Sequence, residues 1–426
     1  MIQRLRIWKF NHRTWIYNTQ YIVYSLILLV FVMLIDLRYW EFQDYIPRIF
    51  FTSVSLAKTV LAALAGAQLT ITTFTFSTIL SIMVNYSSNY SPRVIENFVK
   101  QKITMKVLGI FFGGFFYSIT SLIFMRDLLE EKMVIAGFVG VVYAVVSMIY
   151  FILFVQKVIH SMQSTNLISE IYEEALGVIR QEVKKREEND GFVYQSQGDA
   201  VPVISEINGY LSLVDYSMIT DLLKEEPNKF VIECKVGDYI TEGTVLGYLS
   251  KSEKGTPDED LSSKLNRAFL VQEEKVFMND YRYGITKLVE ITLRAISPGI
   301  NDPNTAIHCI RKISLLLVLL SKSAAHHIAI REDENVQIAY TCHSFSQDLY
   351  ETFYQILHYG KEDVSVMHAL LEGMELLYHN ACKENREIIL NYVQEIYQSD
   401  IDMKRNDYDR KYLKDIYHRI VLIQGM

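Results

Sequence analysis

Cysteine is scarce in this chain of 426 residues: Cys234, Cys309, Cys342 and Cys382 are scattered without paired spacing. That excludes a disulfide framework and fits reduced thiols in a cytoplasmic domain. A basic excess is also missing. The formal charge is −7 and no basic stripe with interleaved aromatics occurs, so nucleic acid is not an expected partner. There is no Walker phosphate loop, no dinucleotide glycine fingerprint, no Gly-x-Ser-x-Gly elbow and no His-Glu-x-x-His. His326-His327, His308-Cys309 and His379 with Cys382 lack the spacing of a zinc site. These absences argue against an enzyme and leave no cofactor and no metal to expect. Few long apolar runs follow residue 160, so the remainder reads as soluble and mixed in charge.

What is present lies mostly before residue 160. Half the residues are hydrophobic, and the apolar runs predict four membrane spans, at about 16–35, 54–84, 107–125 and 133–155. The first follows a segment with Arg4, Arg6, Lys9 and Arg13 and no acid. No small-residue cleavage site follows it, so an uncleaved helix is expected. Lys and Arg gather in that segment and in the loop between spans two and three, which places both termini in the cytoplasm. No charged residue sits in mid-span, which disfavours a proton-coupled pump.

The second run, Val54 to Val84, is unusually rich in Thr and Ser. At 100° per residue Thr59, Ala63, Gly66, Thr70, Thr73, Ser77 and Ser81 fall on one face, with Gln68, Thr72 and Thr75 roughly opposite. A helix polar on two sides should avoid lipid on both, which makes it the innermost element of a membrane assembly. Two readings of the stripe are compatible. Small residues at these spacings let helices pack closely, and Thr59, Gly66, Thr70, Thr73, Ser77 and Ser81 could line a path for ions. At the cytoplasmic end, Asn85, Asn89 and Arg93 form either an ion vestibule or an ordinary capped interfacial helix beginning at Ser91-Pro92.

The soluble half begins with a helical linker, 161–195, in which Leu167, Ile171, Leu176, Ile179 and Val183 keep helical spacing. Residues 196–255 switch to short strands. Asn208-Gly209-Tyr210, Val236-Gly237-Asp238 and Glu242-Gly243-Thr244 make this stretch similar to the barrel-sandwich fold of biotinyl and lipoyl domains. The acceptor lysine of those domains is absent, so a structural or docking barrel is expected. Residues 256–426 return to helical period, with helices at about 264–294, 304–330, 336–358, 363–380, 384–399 and 407–423. Between the first two lies a corner, Ser297, Gly299, Asn301, Asp302 and Thr305, in which Asp302-Pro303 starts a helix. It is either a ligand or partner site or a well-capped turn.

Ser297-Pro298-Gly299-Ile300-Asn301-Asp302-Pro303, together with Asn89-Tyr90-Ser91-Pro92-Arg93, resembles the signatures of a family of predicted bacterial membrane proteins of unknown function. The resemblance implies a four-span membrane part and a cytoplasmic domain in the bacterial inner membrane, and no established activity. The expected fold is therefore mainly α: a transmembrane domain at 1–160, a small β domain and a C-terminal helical domain. The expected function is a homo-oligomeric ion channel among membrane lipids. The alternative is a membrane-anchored scaffold or sensor using the 297–305 corner.

Overall fold

The structure, a computed structural model, describes residues 13–37, 46–94, 102–125, 133–161, 164–189, 192, 200–224, 229–250, 259–273, 275, 280–330, 337–401 and 403–422. The chain forms two compact units, Met1–Asn166 and Leu167–Met426.

The first unit contains α1 (Arg13–Asp36), α2 (Val54–Asn89), α3 (Lys102–Phe124) and α4 (Ala136–Ser161). Each includes a stretch long and apolar enough to cross a bilayer. All four helices outrun their expected spans at one end at least, α2 to Asn89, α3 from Lys102 and α4 to Ser161 by five or six residues, because polar residues beyond the apolar run prolong the helix. Two short strands, β1 (Thr52–Ser53) and β2 (Met133–Val134), pair antiparallel before α2 and α4.

Ser53 caps α2 by accepting from the Leu56 amide at 3.3 Å. The cap of α4 comes from another helix. The buried Asp36 carboxylate, at the end of α1, accepts from the amides of Ile135 (2.8 Å) and Ala136 (3.3 Å). The structure thus makes Asp36 an inter-helix cap.

Gly113 of α3 brings α1, α3 and α4 together. A Cβ there would lie 2.2 Å from Ser25 Oγ and 2.6 Å from Tyr143 Oη. Those two hydroxyls are themselves 2.8 Å apart. Two apolar clusters complete the unit. One joins Leu29, Val32, Val54, Ala57, Leu61, Tyr117, Met125 and Val134. The other joins Ile79, Ile82, Tyr86, Val107, Phe111 and Phe154. The start of α2 thus meets the end of α3 and the reverse, so these helices run antiparallel.

In the second unit α5 (Ser164–Glu188) buries a stripe of Leu167, Ile168, Ile171, Ala175, Ile179 and Val183. Strands β3 (Ala200–Ile204), β4 (Gly209–Val214), β5 (Lys229–Ile232), β6 (Tyr239–Ile240) and β7 (Val245–Ser250) follow, with α6 (Tyr216–Leu223) between β4 and β5. Gly237 and Gly243 take φ of +98° and +87°, a region that favours glycine, at the turns flanking β6.

Then come α7 (Glu259–Asn266), β8 (Phe269–Gln272), α8 (Tyr281–Ala295), α9 (Pro303–Leu320), β9 (His327–Ile330) and β10 (Gln337–Thr341). The chain ends in α10 (Phe345–Gly360), α11 (Val364–Asn380), α12 (Lys383–Ile401) and α13 (Asp407–Leu422).

The strands make a five-stranded sheet, β3-β7-β5-β10-β9, and a three-stranded sheet, β6-β4-β8, around Leu211, Phe230, Ile232, Leu246, Leu249 and Phe269. β10 lies parallel to β5 and every other pair is antiparallel. The β core therefore draws on residues beyond 255, where the sequence reading sets a boundary. Strands β8, β9 and β10 stand where helices at 264–294, 304–330 and 336–358 are expected. Short apolar runs fit either period, and here distant partners decide: Leu211 opposite Val271, Phe230 opposite Ile338.

A fifth stretch apolar enough for a span, α9, lies in this second unit. Its Ala306, Cys309, Ile310, Ile313, Leu316, Leu317 and Leu320 are buried in the unit, and Arg311 on its outer side pairs with Glu372 at 3.1 Å.

Candidate membrane site

The long helix α2 presents two polar faces with opposite fates. Thr59, Ala63, Gly66, Thr70, Thr73, Ser77 and Ser81 are all exposed on the protomer. A Cβ built on Gly66 would meet no other atom within 4 Å. The opposite face, Gln68, Thr72 and Thr75, is buried. The expectation that both polar faces would be covered holds within one chain for the Gln68 face alone, because α3 and α4 pack on that side only.

The threonines of the exposed stripe bond their own helix. Thr59 donates to Ser55 O (3.0 Å), Thr70 to Gly66 O (2.9 Å) and Thr73 to Leu69 O (3.0 Å). Each hydroxyl proton is thereby satisfied one turn back, while the oxygen keeps a lone pair outward. Exposed Leu56 and Phe74 border the stripe on one side, and Leu69, Phe76 and Leu80 on the other. The small, hydroxylic centre is therefore a shallow groove between apolar ridges.

At the end of α2, Asn85 and Arg93 are exposed. Asn89 is the last residue of the helix, and its side chain lies outside the described residues. Ser91 Oγ accepts from the Arg93 amide at 3.2 Å, and Ser88 donates to Asn85 O at 3.0 Å. These are turn and cap contacts. The helix expected after Ser91 runs into residues 95–101, outside the described residues.

The 297–305 corner uses its polar groups on itself. Ser297 Oγ donates to Arg294 O at 2.6 Å, and the Asn301 amide donates to Ser297 O at 2.9 Å. Asp302 accepts from the Thr305 amide at 3.1 Å, and its own amide donates to Ala295 O at 2.8 Å. Asn301 takes φ of +49°, a left-handed turn that Asn tolerates. Gly299 is exposed, with open space where a Cβ would stand.

One cluster has no sequence signature. Arg186 near the end of α5 is fully buried and donates to Tyr281 Oη at 3.0 Å. Tyr281 donates to Asp348 Oδ2 at 2.7 Å, and Arg282 Nε lies 3.1 Å from Asp348 Oδ1. Arg282 also pairs with Glu351 and reaches His343 Nδ1 at 3.2 Å. Burial raises the Asp348 carboxyl to about 6 despite the pull of Arg186 and Arg282. Burial, aided by the Arg282 charge, lowers His343 to about 3. The cluster ties α5, α8 and α10 together. Its members lie far apart in sequence, so spacing could not reveal it.

Cys309 and Cys342 are inert by the same physics. Burial raises Cys309 to about 12 and Cys342 to about 11, far from the thiolate range of reactive sites.

Comparison with known proteins adds a family and no activity. A family model described as a predicted membrane protein, DUF2254, matches residues 11–375. An uncharacterized protein of Mycobacterium bovis is 28% identical over 345 residues, 78% of this chain and 66% of its own length. An uncharacterized protein of Mycobacterium tuberculosis matches to the same extent. The aligned part of this chain thus spans just under two thirds of these relatives. No solved structure matches.

Proposed function

Because this chain belongs to the DUF2254 family of predicted membrane proteins, we propose that it acts in the membrane as a homo-oligomer. In that assembly the exposed α2 stripe of each copy faces a central path for ions. The observation that carries this reading is the contrast between the two faces of α2. Thr59, Gly66, Thr70, Thr73, Ser77 and Ser81 are exposed on the protomer and Gln68, Thr72 and Thr75 are buried. Small side chains permit close approach of symmetry-related helices, and outward hydroxyl lone pairs can replace part of an ion's hydration.

The distribution of Lys and Arg supports cytoplasmic termini and a second unit in the cytoplasm of a bacterial cell, where it would assemble or gate the oligomer. The proposal assigns no catalytic step and no cofactor. The scaffold alternative draws less support, because the 297–305 corner spends its hydrogen bonds on its own turn.

The test is ion flux through purified full-length protein in liposomes. The wild type should pass ions, and Thr73→Leu or Ser77→Leu should change that flux several-fold without altering the melting temperature. A protein that conducts nothing and remains monomeric in lipid would overturn the reading.

A further inference from the structure

The buried face of α2 carries a second polar line, inside the protomer. Gln68, Thr72 and Thr75 recur at one-turn spacing and are 3%, 3% and 0% exposed. The facing surface of α3 continues it. A Cβ at Gly114 would lie 2.4–2.6 Å from the atoms of the Gln68 carboxamide, so that amide lies against the Gly114 backbone. Ser118 and Ser121 share the Gly114 face of α3 and are 1% and 3% exposed. Since α2 and α3 are antiparallel, the line descends α2 from Thr75 to Gln68, crosses at Gly114 and continues along α3 to Ser121. Two turns on each helix give it a length of about 20 Å, most of a hydrocarbon core of about 30 Å.

Three oxygens on this line are fully buried without a hydrogen-bond partner among the described residues, Gln68 Oε1, Thr75 Oγ1 and Ser118 Oγ, while the Ser121 hydroxyl stands beside Tyr117. The exposed hydroxyls Thr59, Thr70 and Thr73 bond their own backbone, and so does Thr72 on the line itself, to Gln68 O at 2.6 Å. Helix packing alone does not select unpaired oxygens inside a membrane bundle, where each one is costly. Such groups call for a guest that both donates and accepts.

The line carries no carboxylate and no ammonium. Its oxygens are strung out, where a metal ion would need them convergent. Neighbouring positions on one face are about 5.4 Å apart along the axis. That is twice an O–H···O distance of about 2.7 Å, the interval one bridging water spans. Apolar clusters lie toward both ends, one with Ile79, Ile82, Phe111 and Phe154, the other with Ala57, Leu61 and Met125.

We infer that the α2–α3 seam of each protomer holds a file of buried water molecules, flanked toward both ends by apolar clusters, and so forms a polar route within a single chain. The route needs no second copy, so it stands or falls apart from the oligomeric pore.

Radiolytic hydroxyl-radical footprinting of the full chain in lipid nanodiscs reads confined water, because the radicals form from the water itself. Tyr117 is wholly buried in the apolar cluster at the Ser121 end and precedes Ser121 by one turn; Phe154, 2% exposed, lies in the other apolar cluster. Tyr117 should be oxidised several-fold faster than Phe154. Gln68→Leu should bring it down toward the Phe154 rate, and so should the near-isosteric Thr75→Val, which secures the test if the larger change impairs folding. Tyr117 labelled no faster than Phe154 in the wild type would overturn the inference, as would unchanged Tyr117 labelling in folded Thr75→Val. A monomeric, non-conducting protein with fast Tyr117 labelling would remove the oligomeric pore and leave the water file standing.

Discussion

The Asp36 carboxylate joins two spanning helices by capping the first amides of α4 from the end of α1. Asp36→Ala should therefore lower stability by about 1–3 kcal/mol. Asp36→Asn, which keeps one acceptor oxygen, should lose less, and thermal melts in detergent would separate the two. A second residue-scale effect concerns pH. Folded His343 stays neutral down to about 3, whereas its ordinary value is 6.5. Between those values the unfolded chain binds the proton and the folded chain does not, so stability falls as pH falls. Asp348 opposes this over a narrower window, from about 6 to its ordinary 3.8, where the folded state takes the proton first. The wider His343 window prevails only narrowly. The two effects nearly cancel between pH 6 and 4, so the melting temperature should drop by only about one or two degrees from pH 6.5 to 4, and His343→Gln, which leaves Asp348 alone, should turn that drop into a rise.

At the scale of elements, two contacts decide how helices meet. Gly113 leaves room for the Ser25 and Tyr143 hydroxyls, and Tyr21 O would be 3.0 Å from an added Cβ. Gly113→Ala should cost about 1–3 kcal/mol by overpacking. Adding Ser25→Ala should restore part of it, a coupling that a double-mutant cycle measures. In the second unit, Arg186→Met would strand the Tyr281–Asp348 pair beside α5 and should cost about 3 kcal/mol in chemical denaturation of the full chain. The four long apolar helices of the first unit were legible because runs of about 20 apolar residues mark candidate spans. Strands β8, β9 and β10 were not, since four or five residues carry no decisive period and their register is set by β4 and β5.

For the whole molecule, the exposed α2 stripe sets the decisive expectation. Cysteine at Ser77 should crosslink between copies in membranes, whereas cysteine at Leu26, on the exposed apolar side of α1, should not. Absence of any Ser77 crosslink would remove the oligomeric reading. The apolarity of α9 carries the opposite lesson. Hydropathy admits it as a span, yet its apolar side chains already line the core of the second unit. Length and composition cannot tell a membrane from a protein interior, because both exclude water.

From its sequence alone the chain specified four long apolar helices before residue 160, a polar and mixed-charge second half, and a second helix with hydroxyls on two sides. Local composition and period suffice for that, since each depends on residues within a few turns of one another. Only the tertiary structure decided which polar face of α2 is buried, that Asp36 caps α4, that Arg186, Tyr281 and Asp348 meet, and which strands complete the sheets. Those outcomes rest on contacts between residues far apart in the chain, and such contacts leave no periodic trace in a single sequence.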